Sequence, residues 1–360
     1  MGNNHQLPAS SDKSCNKDQH LPVISVIMSN YNTEFDILKE SIDSILNQTF
    51  TDFEFIIVDD CSFPEMQADT LIAEYNDERI IYLKNEQNLG LAGSLNRAMS
   101  IARGKYIARM DTDDISLPNR FIKQVEYMEK HPEIAVLSGR IHYFGKRNGY
   151  RIANSTNDFS HLKVLLLFEC FVNHPTVFIR KSFLTENNLS YNPALRRAQD
   201  YDLWSRIISE EGIVKEYSTI LLHYRTTDGQ SSSKHRKNQI ENAKQTHIHQ
   251  LFALGIVPDE KEIEIHEILS DGQSYGDYSF SELLQWCKKI IAYNKKANIY
   301  KENALKDILS QQLIVCCKNH NTFKTDFFSI FLLFKLNTIY YFFNMIRRKI
   351  ILFLYSHLKK

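Results

Sequence analysis

The sequence predicts an α/β fold in which helices cover both faces of a largely parallel sheet, followed by a helical extension. Short apolar runs alternate with amphipathic stretches from residue 21 to about residue 140, a pattern typical of βαβ units. Residues 23–28 and 53–58 are almost entirely apolar, as expected for strands that are buried on both faces. Apolar residues between these runs recur at helical spacing, which predicts a helix that connects two parallel strands.

The alternation continues along the chain, in a looser order after residue 140. The further predicted elements are a helix over 91–103, a strand over 105–110, a helix from Pro118, a helix over 161–171, a strand over 176–180, a helix over 198–211 and a strand over 219–225. Residues 231–245 are polar and predict a linker, and the stretch 246–320 predicts helices.

Length and composition predict four segments. Residues 1–20 are polar and predict a disordered leader, 21–235 the α/β domain, 236–320 the helical extension and 321–360 a basic aromatic tail. The 43 basic and 43 acidic residues cancel, which argues against nucleic acid as a partner. Six cysteines without C-x-x-C spacing fit a reduced, cytoplasmic compartment.

The tail is rich in aromatic residues, and its basic residues outnumber its one acid, Asp326. Residues 327–346 are long enough to cross a bilayer, but Lys335 and several polar residues interrupt them. We therefore predict an anchor that lies on the inner face of the cell membrane and holds the protein there peripherally. The alternatives are a helical cap on the protein's own core and a dimer contact.

Acidic residues follow the ends of two predicted strands. Asp59 and Asp60 end the second strand, and Asp111, Asp113 and Asp114 follow the strand over 105–110. Ligands of open α/β sheets bind at the carboxyl ends of the strands, and clustered carboxylates need a compensating positive charge. This arrangement predicts a site for a metal and phosphates, with a solvated acidic turn as the alternative.

The sequence departs from two other patterns that bind or transfer phosphate groups. A dinucleotide-binding site requires G-x-G-x-x-G after the first strand, where this chain has SNYNTE. A phosphohydrolase of the haloacid type requires D-x-D-x-T, and Asp111 and Asp113 begin that pattern, but Ile115 replaces the threonine. A metal-dependent phosphohydrolase and a non-catalytic sugar-nucleotide-binding protein remain the alternative functions.

Several segments, in order, resemble glycosyltransferase family 2. They are VISVIMSNYN, SILNQTF, FEFIIVDDCS, NEQNLGLAGSLNRAMSIARGKYIARMDTDD and AQDYDLW, within residues 21–230. The resemblance implies a GT-A fold, a Rossmann-like mixed sheet flanked by helices. It also implies an inverting transfer from a nucleoside diphosphate sugar, of which a UDP-sugar is preferred. The acceptor would be a hydroxyl of a glycan or undecaprenyl-diphosphate-linked glycan in O-antigen or capsule synthesis.

The resemblance also implies roles for individual residues. The nucleotide-binding set is Ser29, Tyr31, Asp60, Asn88, Asn96, Asp111 and Thr112. Asp60 would accept the imino proton of the base, whereas Asp59 either contacts the nucleotide or holds the loop. Asn96 is either a nucleotide contact or a packing residue. The metal would be Mn²⁺ or Mg²⁺ bound by Asp111 and Asp113, because such hard cations prefer carboxylate oxygens.

Asp200 matches the family's general base, with Gln199 in place of the usual glutamate; without the resemblance, Asp200 reads as a helix N-cap. His174 and Trp204 are acceptor-binding candidates, each with a structural role as the alternative. Tyr224 and Arg225 match a family pair after which a histidine commonly stands two places beyond the arginine. Thr227 occupies that place here, which leaves His223 and His235 as substitutes.

Overall fold

A computed structural model describes residues 20–151, 158–227, 236–271 and 278–318. Its strands are β1 (Ile24–Asn30), β2 (Phe53–Asp59), β3 (Ile80–Lys84), β4 (Tyr106–Met110), β5 (Ile115–Ser116), β6 (Ile134–Gly145), β7 (Gly149–Arg151), β8 (Phe178–Arg180) and β9 (Ile213–Thr226). The helices of the α/β part are α1 (Phe35–Leu46), α2 (Ala68–Glu74), α3 (Gly90–Ile101), α4 (Arg120–Lys130), α5 (Phe159–Leu165), α6 (Lys181–Glu186) and α7 (Gln199–Ser209). The extension contains α8 (Arg236–Ala253), α9 (Glu260–Asp271), α10 (Phe280–Ala297) and α11 (Glu302–Lys318).

The described strands form one mixed sheet in the order β3-β2-β1-β4-β8-β6-β9-β5, with β7 paired to β6. The first four strands in this order are parallel, which confirms the predicted βαβ units. From β4 onward the sheet is mixed, because β8 runs antiparallel to both β4 and β6. β1 lies between β2 and β4, so the chain order reverses there, and open α/β sheets bind ligands at such a point.

Apolar residues on both faces of the sheet bury it between two hydrophobic clusters. One cluster joins the residues of β1 and β2 to α1 and α4. The other joins the opposite face to α3 and α7, and it continues into the extension through Leu251, Leu283 and Leu309. The extension therefore shares a core with the α/β part instead of packing around a core of its own.

Two predicted boundaries differ from the structure. The helix predicted over 161–171 ends at Leu165, because the next carbonyl groups bind side chains of other elements. Leu166 O accepts hydrogen bonds from Tyr201 Oη at 2.6 Å and Gln250 Nε2 at 2.9 Å. These bonds satisfy carbonyl groups that a helix end leaves unpaired.

The linker predicted over 231–245 is helical from residue 236 onward, where α8 begins. Residues 236–245 contain only two apolar residues, Ile240 and Ala243, so no apolar periodicity marked this part of the helix. Asn242 Nδ2 also donates to Arg197 O at 2.9 Å, just before α7. The helices predicted after residue 246 are confirmed as far as residue 318.

No helix within the four described ranges combines the length and the apolar character needed to cross a bilayer. The predicted leader, except for His20, lies outside the described residues, and so do the tail over 321–360 and His235.

Candidate active site

A cleft of about 2420 Å³ runs along the carboxyl edge of β1, β2 and β4 and reaches α7, α8 and α9. Pockets for single small ligands occupy about 300–1,000 Å³, so this cleft has room for two ligands side by side. The sequence-predicted residues that line it are Ser29, Tyr31, Asp60, Asn88, Asp111, Thr112, Asp113, His174 and Asp200. The structure thus brings most of the candidate residues into one space.

Asp60 binds the first turn of α3. Its carboxylate accepts hydrogen bonds from the backbone N–H groups of Leu89 at 2.8 Å and Gly90 at 2.9 Å, and from Asn85 Nδ2 at 2.7 Å. Two carboxylate oxygens offer about four acceptor positions, so these three donors leave one position unfilled. Asp59 has the loop-holding role, because it accepts from Asn30 Nδ2 at 2.7 Å and from the N–H of Ser62.

The two asparagines predicted beside the nucleotide have structural partners. Asn88 lines the cleft, and its Nδ2 donates to the backbone oxygen of Asp60 at 3.2 Å. Asn96 does not line the cleft, because its amide donates to Tyr191 O at 2.8 Å and accepts from Tyr191 N at 3.0 Å. These hydrogen bonds favour the packing alternative for Asn96, and its nucleotide contact stays a prediction.

The loop after β1 faces the acidic turn. Thr33 Oγ1 donates to Thr112 Oγ1 at 2.8 Å, which joins the loop to the turn between Asp111 and Asp113. Tyr31 is 50% exposed, so one face of its ring is available to a planar ligand in the cleft.

Asp111, Asp113 and Asp114 form a cluster of carboxylates. Each offers one oxygen that lies within 4.8 Å of the others. Both oxygens of Asp111 accept from the guanidinium of Arg109, whose side chain is 3% exposed. Burial, with the charge of Asp111, raises the pKa of Asp113 to about 6. The same causes raise the pKa of Asp114 well above its ordinary value.

This cluster fits a hard divalent cation. Asp114 Oδ1 accepts from the N–H of Arg225 at 2.9 Å, while its Oδ2 is buried with no hydrogen-bond partner in the described part of the chain. Carboxylates that repel one another and lack a donor are stabilised by a bound cation. Sequence reasoning proposed Asp111 and Asp113 as ligands, and the structure adds Asp114 as a third group that could hold the ion.

Asp200 lies in the first turn of α7 and is partly exposed to the cleft. The residue that precedes the helix, Ala198, has a φ of 60°, a left-handed conformation that is strained for a residue other than glycine. Burial raises the pKa of Asp200, and the negative charge of Asp111 adds to this effect while the positive charge of Arg109 opposes it. Asp200 is therefore electrostatically coupled to the acidic turn.

His174 and Trp204 lie at different depths. His174 lines the cleft, and its Nε2 is 2.8 Å from Tyr191 Oη. Burial, followed by the charge of Arg109, lowers the pKa of His174 well below its ordinary value. Trp204 is fully buried and packs edge-on against His174. The expected contact between Trp204 and an acceptor is therefore corrected to packing.

His223, the described substitute for the missing histidine, does not line the cleft. It lies on β9 with its Nδ1 at 3.1 Å from His142 Nδ1 on β6. Tyr224, Arg225 and Thr227 do line the cleft. The metal or diphosphate contact considered for His223 therefore has no support in this geometry.

Sequence reasoning missed Arg109 and Tyr191. Arg109 is the one charged residue in the strand β4, and a charge in a strand covered on both faces signals a buried ion pair. No local sequence pattern identifies Tyr191 as a site residue, because its contacts with Asn96 and His174 come from other segments of the chain.

The mixed sheet flanked by helices, with a cleft at its carboxyl edge, has the GT-A fold. The crystal structure of residues 1–349 of S. aureus TarS in complex with UDP-GlcNAc has this fold. It is similar with a TM-score of 0.55 and 17% identity, over 84% of this chain and 90% of that one.

The family model described as glycosyl transferase family 2 matches residues 25–188. An uncharacterized glycosyltransferase of Methanocaldococcus jannaschii, MJ1057, is 39% identical over 241 residues, which are 65% of this chain and 78% of the relative. Escherichia coli WfgD is 32% identical over 193 residues, 53% of this chain and 72% of WfgD. WfgD is named a UDP-Glc:alpha-D-GlcNAc-diphosphoundecaprenol beta-1,3-glucosyltransferase. The chain belongs to glycosyltransferase family 2 and is a glycosyltransferase.

Proposed function

We propose that this glycosyltransferase moves one sugar, with inversion, from a UDP-sugar to a hydroxyl of a lipid-linked glycan in surface-polysaccharide synthesis. One observation carries the proposal: the acidic turn, Asp60 and Asp200 line the same cleft at the carboxyl edge of the sheet. A site of this kind holds a nucleoside diphosphate at one end and a proton acceptor for the second substrate at the other.

The nucleotide would occupy the end formed by β1, β2 and α3. The remaining acceptor position on Asp60 would receive the imino N–H of a uracil base, and Tyr31 would stack on that base. Ser29 and Thr112 line the same end and would contact the nucleotide through their hydroxyl groups.

Asp111 and Asp113, together with Asp114, would hold Mn²⁺ or Mg²⁺. A bound divalent ion would neutralise the charge that develops on the departing diphosphate, which typically contributes several kcal/mol. Arg109 holds the carboxylate of Asp111 at the edge of this site. The Asp111 carboxylate would therefore keep its orientation when the nucleotide leaves.

Asp200 would act as the general base. Its carboxylate would take the proton of the acceptor hydroxyl while that oxygen attacks the anomeric carbon and the bond to the diphosphate breaks. A raised pKa makes a carboxylate a stronger base, and general-base catalysis contributes a factor of about 10²–10⁴ in rate. Because the transfer is a single displacement, it inverts the configuration at the anomeric carbon.

The relatives support the substrate classes. WfgD is named for a UDP-sugar donor and an acceptor linked to diphosphoundecaprenol, and TarS was crystallised with UDP-GlcNAc. A lipid-linked acceptor fits a protein that lies peripherally on the cytoplasmic face of the cell membrane, held by the tail over 321–360. We retain 21–235 as the catalytic domain and 236–320 as its helical extension.

The test is to incubate the full-length protein with Mn²⁺ and a panel of UDP-, GDP-, dTDP- and CMP-sugars. We expect release of UDP, both by slow donor hydrolysis and by transfer to a bacterial lipid extract. Release of inorganic phosphate from phosphoesters, without nucleoside diphosphate, would instead show a phosphohydrolase. Binding of a sugar nucleotide with no turnover would show a non-catalytic binding protein, and either result contradicts the proposal.

A further inference from the structure

The cleft continues past Asp200 into the helical extension. Gln199 and Tyr201, the neighbours of Asp200 in the first turn of α7, line it together with His247 of α8 and Glu267 of α9. We call this part the helical lobe. The nucleotide end is lined by β1, β2 and α3, so the helical lobe is a separate part of the same cleft that includes the neighbours of Asp200.

Glu267 fixes the ring of His247. The distance from His247 Nδ1 to Glu267 Oε1 is 2.6 Å, and an ionised carboxylate can only accept, so Nδ1 carries the hydrogen. The rings of Tyr201, at 5.4 Å, and His266, at 5.0 Å, pack edge-on against the same imidazole. In the neutral ring, Nε2 is therefore a hydrogen-bond acceptor with a fixed direction.

Among the buried atoms without hydrogen-bond partners in the described part of the chain, two belong to residues that line the helical lobe. His247 is 2% exposed and Gln199 is 6% exposed, and neither His247 Nε2 nor Gln199 Oε1 has a hydrogen-bond partner among the described residues. A buried polar atom without a partner costs about 1–3 kcal/mol. Such a cost is recovered when a ligand or a water supplies the missing donor.

We propose that the helical lobe binds a neutral sugar residue of the acceptor glycan, and that His247 and Gln199 accept hydrogen bonds from its hydroxyl groups. The proposal rests on the proposed transferase function, since it assigns the second substrate of that reaction. Both atoms without partners are acceptors, so the ligand must present donors. The acidic residues that line this part of the cleft, Glu169, Glu241, Glu267 and Asp271, outnumber the basic residues Arg196 and Arg197, and this excess of negative charge opposes an anionic sugar.

Glu267 acts as a positioning residue in this account. Its bond to Nδ1 keeps the lone pair of Nε2 directed to one place, which ties recognition of the acceptor to the helical extension. Hydrolysis of the donor uses water as the acceptor and needs no sugar in the helical lobe. The rate of donor hydrolysis therefore reports on Asp200 without a contribution from His247.

The experiment measures UDP release from the preferred UDP-sugar with Mn²⁺, with and without added methyl glycosides. The glycosides are neutral hexosides and N-acetylhexosaminides, each paired with a uronic acid glycoside where one exists. We expect at least one neutral glycoside to raise the rate and to appear as a disaccharide product, and the uronic acids to have no effect.

The variants separate acceptor binding from folding. In His247→Asn the amide keeps a donor for Glu267 but removes Nε2, so KM for the glycoside should rise about fivefold to tenfold, whereas donor hydrolysis should fall less than transfer does. Because His247 is buried, the smaller side chain should also lower the thermal midpoint, so both rates are measured below the midpoint of the variant. His247→Gln, whose amide reaches the position of Nε2, should recover part of the loss. Thr246→Val, a neighbour outside the cleft lining, is the matched control and should leave KM unchanged.

Three results overturn the proposal: no neutral glycoside raises the rate, His247→Asn leaves the glycoside KM unchanged, or donor hydrolysis falls as much as transfer does. Failure of the proposed function looks different, because the wild-type protein would then release no UDP from any donor.

Discussion

Arg109 places both of its terminal nitrogens on the two carboxylate oxygens of Asp111. The guanidinium is buried beneath the cleft, and its charge also acts on Asp113, Asp114 and Asp200. A buried cation that pairs with one carboxylate and acts on three others offsets the negative charge that folding places at this edge of the sheet.

Replacing Arg109 by methionine should therefore destabilise the protein. The neighbouring carboxylates would lose their counter-charge, and breaking a buried ion pair costs about 3–5 kcal/mol. Thermal unfolding measures the effect, and added Mn²⁺ should restore part of the loss. Lys84→Met, which breaks the exposed pair with Asp69, is the control and should have an effect below about 1 kcal/mol. An Arg109→Met variant as stable as wild type would contradict the role of this charge.

Mn²⁺ should raise the thermal midpoint of the wild-type protein, because an ion that binds only the folded state stabilises it. At a concentration one hundred times Kd the gain is about 2.7 kcal/mol. Asp113→Asn removes a carboxylate of the cluster and should abolish most of this gain, whereas Asp69→Asn on the surface should retain it. An equal Mn²⁺ response in both variants would exclude the acidic turn as the metal site.

His266 predicts a pH dependence of stability. Burial, followed by the proximity of His247, lowers its pKa from 6.5 to about 3 in the folded protein. The unfolded chain therefore binds one more proton than the folded chain between these values, so stability is complete above pH 6.5 and falls by about 1.4 kcal/mol per pH unit below it. Between pH 7.5 and 5.0 the contribution of His266 to this loss should be about 2 kcal/mol.

His266→Gln removes this titration and should reduce the loss measured by urea unfolding at the two pH values. Its amide can still donate to Leu167 O, the partner of His266 Nε2. His249→Gln, on the exposed side of α8, is the control. The same pH dependence in His266→Gln and wild type would show that His266 is protonated in the folded state.

Truncation after Asn321 should abolish binding to anionic vesicles. Each Lys or Arg near an anionic surface contributes about 1 kcal/mol, and the tail adds aromatic side chains to this attraction. Co-sedimentation with vesicles of phosphatidylglycerol measures binding, and phosphatidylcholine vesicles are the control. If the truncated protein sediments as the full-length protein does, the tail is not the anchor.

The strands β1 and β2, and the acidic residues at the carboxyl edge of the sheet, could be predicted from the sequence alone. The apolar runs of β1 and β2 and the positions of Asp60 and Asp111 follow from local pattern, because a strand buried on both faces needs continuous apolar residues. The choice between packing and ligand contact for Trp204 and Asn96 required the structure. Each has a local environment that depends on segments far along the chain.

The burial of polar side chains was the main reason why parts of the site could not be predicted from the sequence. Arg109 and His247 are both buried and polar, and their partners could be found only once the elements were assembled. The start of α8 was missed because residues 236–245 contain only two apolar residues, Ile240 and Ala243, and so lack the apolar periodicity that marks a helix.

The central claim is that Asp200 removes the proton from the acceptor hydroxyl while the acidic turn and Asp60 hold the donor. Asp200→Asn keeps the shape and the start of α7 but removes the base, so transfer should fall by about 10²–10⁴. Titration calorimetry with UDP and Mn²⁺ should give the wild-type Kd for this variant. Loss of transfer with unchanged UDP binding supports the account; full transfer activity in Asp200→Asn would contradict it.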